Sequence, residues 1–310
     1  MPDRFQYTCY GLTIQSQLPL PELLHAVSSM HGVAPAEIAP AEIDIRIGPV
    51  APEGLPGGTR LGPFLWVTAS SLWLQVPKVA RFLVSEGREI VIDPEPGIDA
   101  DSLRVFLLGS ALGALLFQRG LLVLHGNAIR IGEQCMVCVG HSGAGKSTLA
   151  AGFLRRGHEI LADDVVPVAS DCRALPGFPR IKLWQDAADR LDIDTQYLKG
   201  IRPQMEKFNY PLFDQFADRP LPVRWVYILG SHARPETLFE PIRGMARFQP
   251  LHANTYRVRY LEGMALKSEH LKLCGKLAGR IRLARITRPE KGFELDALID
   301  RILADVAEHP

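Results

Sequence analysis

Midway along the chain, Gly140-His141-Ser142-Gly143-Ala144-Gly145-Lys146-Ser147 fits G-x-x-x-x-G-K-[ST], the P-loop or Walker A pattern, without a mismatch. Each position has a chemical reason. Glycines let the backbone approach an anion closely, and successive N–H groups can then point inward as a nest for phosphate oxygens. Lys146 supplies a point charge for terminal phosphate oxygens, and the Ser147 hydroxyl can ligate Mg²⁺. Apolar residues 136–139 precede the loop, and Leu149, Phe153 and Leu154 give the residues after Thr148 one apolar helical face. A strand, a loop and a helix with its positive end at the loop are therefore expected around a nucleoside triphosphate. Gly140, Ser142, Gly143, Ala144, Gly145, Lys146, Ser147 and Thr148 are the expected nucleotide-binding residues.

Phosphoryl transfer also needs a carboxylate to hold a metal or orient the nucleophile. Asp163 and Asp164 stand at the end of the apolar Ile160-Leu161-Ala162. In a regular strand, adjacent side chains face opposite ways, so a site would receive only one of the two unless a bulge or strand end intervenes. His125 lies in the apolar run Leu122-Val123-Leu124-His125-Gly126, where a lone histidine by itself reads as a core residue. Cys135 and Cys138 form a C-x-x-C in an apolar run, but on a strand they point to opposite faces. No second pair completes a zinc site.

These residues need a scaffold. The first hundred residues read as β-structure. Ile43, Ile45 and Ile47 alternate with charged residues, residues 72–76 read as a strand, and residues 81–84 and 89–92 flank Ser85-Glu86-Gly87-Arg88 as an expected hairpin. Prolines at Pro35, Pro40, Pro49, Pro52, Pro56 and Pro63 mark loops. Asp101 or Ser102 is placed to cap a helix running to about residue 119, with Gly120 as its stop. Its apolar part, residues 106–117, is shorter than the ~20 residues a bilayer crossing needs and reads as a buried core helix. Beyond it come strands at 121–131 and 135–139, a helix at 146–156 and a strand at 159–168, an alternation that predicts an α/β fold. The last helix is expected over 293–307. The resulting division is a β-rich N-terminal domain over 1–100 and a catalytic domain over 101–310.

The chain has 310 residues, 47% hydrophobic and 22% charged, as expected of a protein with a sizeable core. A net charge of +1 gives no overall attraction for nucleic acid. The five scattered cysteines, with no signal-peptide pattern at the start, predict reduced thiols in the cytoplasm and no membrane partner.

The set His125-Gly126, the P-loop, Arg156-Gly157-His158 and Ala162-Asp163-Asp164-x-Val resembles the catalytic domain of the HPr kinase/phosphorylase family. The spacings agree too: 22 residues separate His125 from Ser147, and 17 separate Ser147 from Asp164. The resemblance implies a serine kinase with a P-loop fold akin to phosphoenolpyruvate carboxykinase, using ATP and Mg²⁺. By that likeness Asp164, or its neighbour Asp163, is the base toward the acceptor hydroxyl, Lys146 neutralises the transferred group, Ser147 and Asp163 bind Mg²⁺, and His125 sits beside the reacting phosphate.

The family's second signature, a glycine-rich stretch with a metal-binding glutamate, is not recognisable. Pro176-Gly177-Phe178-Pro179-Arg180-Ile181-Lys182-Leu183-Trp184 stands in its place, with Arg180 and Lys182 as phosphate contacts or surface-strand residues. Tyr10-Gly11-Leu12-Thr13-Ile14 and Leu18-Pro19-Leu20-Pro21-Glu22-Leu23 look like the divergent branch that includes the lasso-peptide kinases. The implied partner is a peptide or small protein, such as a lasso-peptide precursor phosphorylated on its C-terminal serine, and homo-oligomerisation is a family trait. A nucleotide-binding regulatory module and a small-molecule kinase are the alternatives. Lysines and arginines between Lys267 and Lys291 read as a solvated helix face or a docking surface for an acidic partner, and Arg257 as a residue within reach of phosphates.

Overall fold

In the computed structural model the described residues are 4–25, 41–190, 193–196, 198–200, 206–290, 292 and 294–310. Pro35, Pro40, Lys291 and Phe293 lie outside them. The protein is a mixed α/β structure forming two compact units: residues 1–120 with 259–267, and residues 121–258 with 268–310.

The first unit is built on a nine-stranded sheet. Most neighbours are antiparallel, but Ile43–Ile47 runs parallel to Leu12–Ser16 on one side and to Glu89–Pro94 on the other. Alternation buries Ile43 and Ile45, while Ile47 at the strand end is exposed. The expected hairpin is present as Ala80–Ser85 and Glu89–Pro94, with Glu86 and Gly87 both at positive φ, the turn geometry that matches strand twist.

The helical run Ala100–Gln118 belongs to this unit, so the structure divides the chain after Gly120, later than the expected boundary at residue 100. Its cap is Asp99 rather than Asp101 or Ser102: the Asp99 carboxylate accepts from the Ser102 backbone N–H at 2.7 Å. It spans 19 residues and is long and apolar enough to cross a membrane, so length alone does not exclude a span as the shorter apolar run suggested. Most of it is buried in the unit, and Gln118 is tied to the hairpin, accepting from Gly87 N–H and donating to the Val84 carbonyl.

In the second unit, Gln134–Val139, Leu221–His232 and Arg282–Pro289 are parallel neighbours at the centre of the sheet. The two faces of Gln134–Val139 feed two cores. Met136 and Cys138 pack with Leu149, Phe153 and Leu154 of the helix Lys146–Arg155 and with Leu298, Ile299 and Ile302 of the helix Leu295–Glu308. Cys135, Val137 and Val139 pack with Leu273, Cys274 and Leu277 of the helix Lys267–Ala278. The C-x-x-C thus splits between faces as the two-residue period requires. All five cysteines are buried and none forms a disulfide, and burial pushes the Cys138 thiol up to about 12.

Two runs expected to be single strands are each broken. Residues 121–131 form Leu122–Leu124 and Gly126–Ile131, interrupted at His125; residues 159–168 form Ile160–Asp163 and Val166–Val168, interrupted at Asp164. The pieces change partners across each break. Leu122–Leu124 pairs with Val166–Val168, whereas Gly126–Ile131 pairs with Gln134–Val139 and Ile160–Asp163.

Candidate functional site

The two breaks face each other. At the first, the His125 backbone N–H donates to the Asn254 carbonyl at 2.8 Å instead of continuing a ladder. Gly126 follows because a Cβ there would lie 2.3 Å from the Cys138 carbonyl oxygen, closer than any side chain can sit. At the second, Asp164 takes φ +70, a left-handed conformation that aspartate tolerates better than most residues. That one kink reverses the alternation, so Asp163 and Asp164 both line one cavity of about 210 Å³.

The opposite wall of this cavity is the glycine-rich loop. Gly140 has φ +150, and a Cβ on it would meet the Leu229 carbonyl at 2.6 Å, so the chain can turn out of the sheet here only without a side chain. The loop leads into the N-terminus of the helix Lys146–Arg155. Lys146 Nζ reaches back to the carbonyls of Gly140 (2.8 Å) and His141 (3.0 Å), which holds the ammonium across the loop. Ser142, Gly143, Gly145, Lys146, Ser147 and Thr148 line the cavity together with His125 and both aspartates. Ala144 instead packs its methyl into the core beneath, and Gly140 lines a neighbouring cavity.

The two carboxylates have different surroundings. Asp163 is 9% exposed and faces Asn127 across the ladder. The Asn127 amide donates to one oxygen, and the Lys182 backbone N–H donates to the other at 2.7 Å. Burial, reinforced by the neighbouring Asp164 charge, pushes its pKa up to about 6. Asp164 is also pushed up by burial, but Lys182, whose Nζ lies 2.8 Å from it, and then His125 and Lys207 outweigh this and hold it well below the usual carboxylate range.

His125 Nδ1 lies 3.0 Å from the Asp164 carbonyl and 3.4 Å from its carboxylate. Since a carbonyl only accepts, the ring donates from Nδ1 and carries its acceptor at Nε2. Burial lowers the His125 pKa ahead of the opposing Asp164 charge, which favours this neutral form. Burial also lowers the pKa of Lys146, against the pull of both aspartates.

Arg180–Trp184 and Lys207–Pro211 form an antiparallel pair that supplies further cations. Ile181 and Leu183 point into the core, and the alternation turns Lys182 toward the aspartates. Lys182 therefore pairs with Asp164, and Arg180 donates to Asn209 at 2.5 Å. Lys207 lines the cavity and sits 5.2 Å from the Trp184 ring centroid. Sequence reasoning passed over Lys207, because a strand partner 23 residues beyond Trp184 leaves no local spacing signal. Of the basic run, Lys267, Lys272 and Lys276 are exposed on the helix Lys267–Ala278, as a solvated face requires, whereas Arg282 pairs with Asp305 and Arg288 lies beside Gly145.

A second cavity of about 670 Å³ shares His125 and Asp164 with the first and is lined further by Tyr256 and Arg257. Arg257 was named in the sequence without a location; the structure puts it on this wall. The oxygen donors of Ser147, Asp163 and Asp164 around one cavity are the hard ligands that Mg²⁺ takes, usually one or two carboxylates with the rest from phosphate and water. The residues present fit that ion.

No family model matches the chain, and no curated protein matches it. Among solved structures, the HPr(Ser) kinase/phosphatase from Coxiella burnetii is similar, at 13% sequence identity over 60% of this chain and 90% of that one, with a TM-score of 0.28. At that TM-score the likeness carries no weight for activity, which must rest on the residues of the site.

Proposed function

We propose that this chain is an ATP- and Mg²⁺-dependent kinase that transfers the γ-phosphoryl group to a serine hydroxyl of a peptide or small protein. The observation that supports this most is the position of Asp164, on the wall shared by the cavity of the glycine-rich loop and the larger cavity beside it. In this reading the loop amides and Lys146 hold the terminal phosphates in the first cavity, and the acceptor enters through the second. The hydroxyl then meets the phosphoryl group at Asp164.

Ser147 and Asp163, which line only the first cavity, would hold Mg²⁺, whose chemical contribution when bound is to neutralise charge on the β- and γ-oxygens. Asp164 stays ionised because Lys182 holds its charge, so it can accept the hydroxyl proton as the bond to phosphorus forms. His125, neutral and fixed by Nδ1, presents its Nε2 to the reacting groups. Lys146 and Lys207 offset the charge on the transferred group. The acceptor we favour is the C-terminal serine of a lasso-peptide precursor, following the sequence resemblance of residues 10–23.

The test is transfer of radiolabel from γ-labelled ATP to the peptide encoded beside the gene. Labelling that disappears when the peptide's serine is replaced by alanine supports the reading. Labelling that persists on that variant overturns the acceptor, and an absence of transfer to any peptide overturns the kinase.

A further inference from the structure

The larger cavity is lined by charges of both signs. Among the described residues lining it, Asp164 carries a carboxylate and Arg257 a permanently positive guanidinium. Arg257 is built into this wall. Its backbone has φ +43, an uncommon conformation for a non-glycine residue, of the kind that persists only where surrounding structure over-determines it.

That surrounding structure is the segment before it. The Asn254 carbonyl accepts from His125 N–H at 2.8 Å, and the Tyr256 N–H donates to the Val123 carbonyl at 2.8 Å. The buried Tyr256 ring stands 5.9 Å from the His125 ring. The Arg257 guanidinium lies 5.6 Å from the Tyr256 ring centroid, with Nε 3.4 Å from its hydroxyl. Arg257 is thus referenced, through Tyr256 and Asn254, to the strand break that also places His125 against Asp164.

Resting on the kinase reading above, we infer that Arg257 is a specificity residue that binds a carboxylate of the acceptor, so that the enzyme selects a hydroxyl standing close to a free carboxylate, as in a C-terminal serine. A guanidinium presents its donors in a fork that matches a carboxylate, and such charge-assisted bonds are stronger than neutral ones. The alternative anion, a nucleotide phosphate, is less well placed, because Arg257 lines the larger cavity while Lys146, Ser147 and Thr148 line the other. An ionised Asp164 would repel an acceptor carboxylate bound beside it. Arg257, which lines the same cavity, offers that group an opposite charge, so the carboxylate pairs with the guanidinium and the hydroxyl is left to Asp164.

The experiment compares two synthetic peptides that end in serine and differ only at the terminus, one a free acid and one an amide, with ATP as phosphoryl donor. Wild-type protein is expected to favour the free acid by about tenfold or more in kcat/KM, the range for losing a hydrogen bond to a charged group. Arg257→Gln is expected to raise KM for the free acid and erase the preference, and Arg257→Lys to recover part of it; a thermal melt checks that each variant is folded. Equal use of acid and amide by the wild type overturns the inference without needing any variant. So does an Arg257→Gln effect confined to KM for ATP. If neither peptide is labelled while ATP still binds in a Lys146-dependent way, this inference falls, and the kinase reading is decided separately by transfer to the gene-encoded peptide. If ATP does not bind, both fall.

Discussion

The hairpin of the first unit and the paired strand breaks of the second are made of similar residues and come out differently. Ala80–Ser85 and Glu89–Pro94 run opposite each other without interruption, and Ala80, Phe82 and Val84 are completely buried on one face. The runs 121–131 and 159–168 are just as apolar, yet the first breaks at His125 and the second at Asp164 with Val165. In the hairpin the ladder is continuous and side chains alternate between two covered faces, Phe82 and Val84 on one and Leu83 with Val91 on the other. At the breaks the period is violated, and groups that would otherwise point apart line the same cavity. Hydrophobic pattern therefore tells where a sheet is only a sheet. Where the pattern holds and the ladder does not, the chain has traded regular hydrogen bonds for a placed side chain.

This contrast can be broken from either side. The largest effect is expected at the loop. Lys146→Ala should reduce phosphoryl transfer by about a thousandfold or more, since it removes charge stabilisation from a preorganised site. It should also weaken ATP binding by calorimetry, while the circular dichroism spectrum is retained. Phe82→Ala, in the uninterrupted hairpin, should cost about 3–5 kcal/mol in denaturant unfolding, the range for emptying a buried aromatic position. It should leave kcat of the folded protein unchanged; a fall in kcat would mean that the first unit takes part in the chemistry.

Gly126→Ala sharpens the comparison at the break. The new methyl must displace the Cys138 carbonyl, which should cost about 1–3 kcal/mol and reduce activity as well, because His125 is the adjoining residue. Unchanged activity alongside lower stability would separate the break from the site.

The smallest effect is electrostatic and distinguishes the two aspartates. The Asp163 pKa is raised to about 6, above its unfolded value near 4. Between about pH 4 and 6 the folded protein binds more protons at Asp163 than the unfolded chain, so this residue's contribution to stability falls as pH rises through that window. Asp164 has the opposite sign. Its pKa is held low, so its contribution is present above about pH 4 and is lost as pH falls below that. In the absence of divalent cations, Asp163→Asn should remove a slope on the order of 1 kcal/mol per pH unit between about pH 4 and 6 in chemical denaturation. The same slope in wild type and variant would count against the burial of this carboxylate as the cause.

Much of the second unit was legible before the structure. The loop pattern with an apolar run before it and one apolar helical face after it placed the strand Gln134–Val139 and the helix Lys146–Arg155, and the recurrence of Leu298, Ile299 and Ile302 placed the last helix. The alternation of Ile43 with Ile45 identified a strand of the first unit. The breaks were not legible, because both His125 and Asp164 sit inside apolar runs and only long-range pairing decides that the ladder changes partner there. Lys207 was illegible as part of the site, and Arg257 could be named from the sequence but not placed, for a related reason. Each is brought in by contacts far along the chain, the first by pairing with Arg180–Trp184 and the second by the clip of residues 254–256 onto residues 123–125. The boundary after Gly120 was missed because the helix Ala100–Gln118 looks alike whether it packs forward or back.

The central claim is that Asp164, placed by a strand break, prepares the acceptor while the loop separately holds the nucleotide. It is tested most directly by measuring ATP affinity and phosphoryl transfer together in Asp164→Asn. The account predicts that affinity is kept or increased, because a negative charge near the phosphates has been removed, while transfer falls by about a hundredfold or more. A variant that transfers phosphate at the wild-type rate would contradict it.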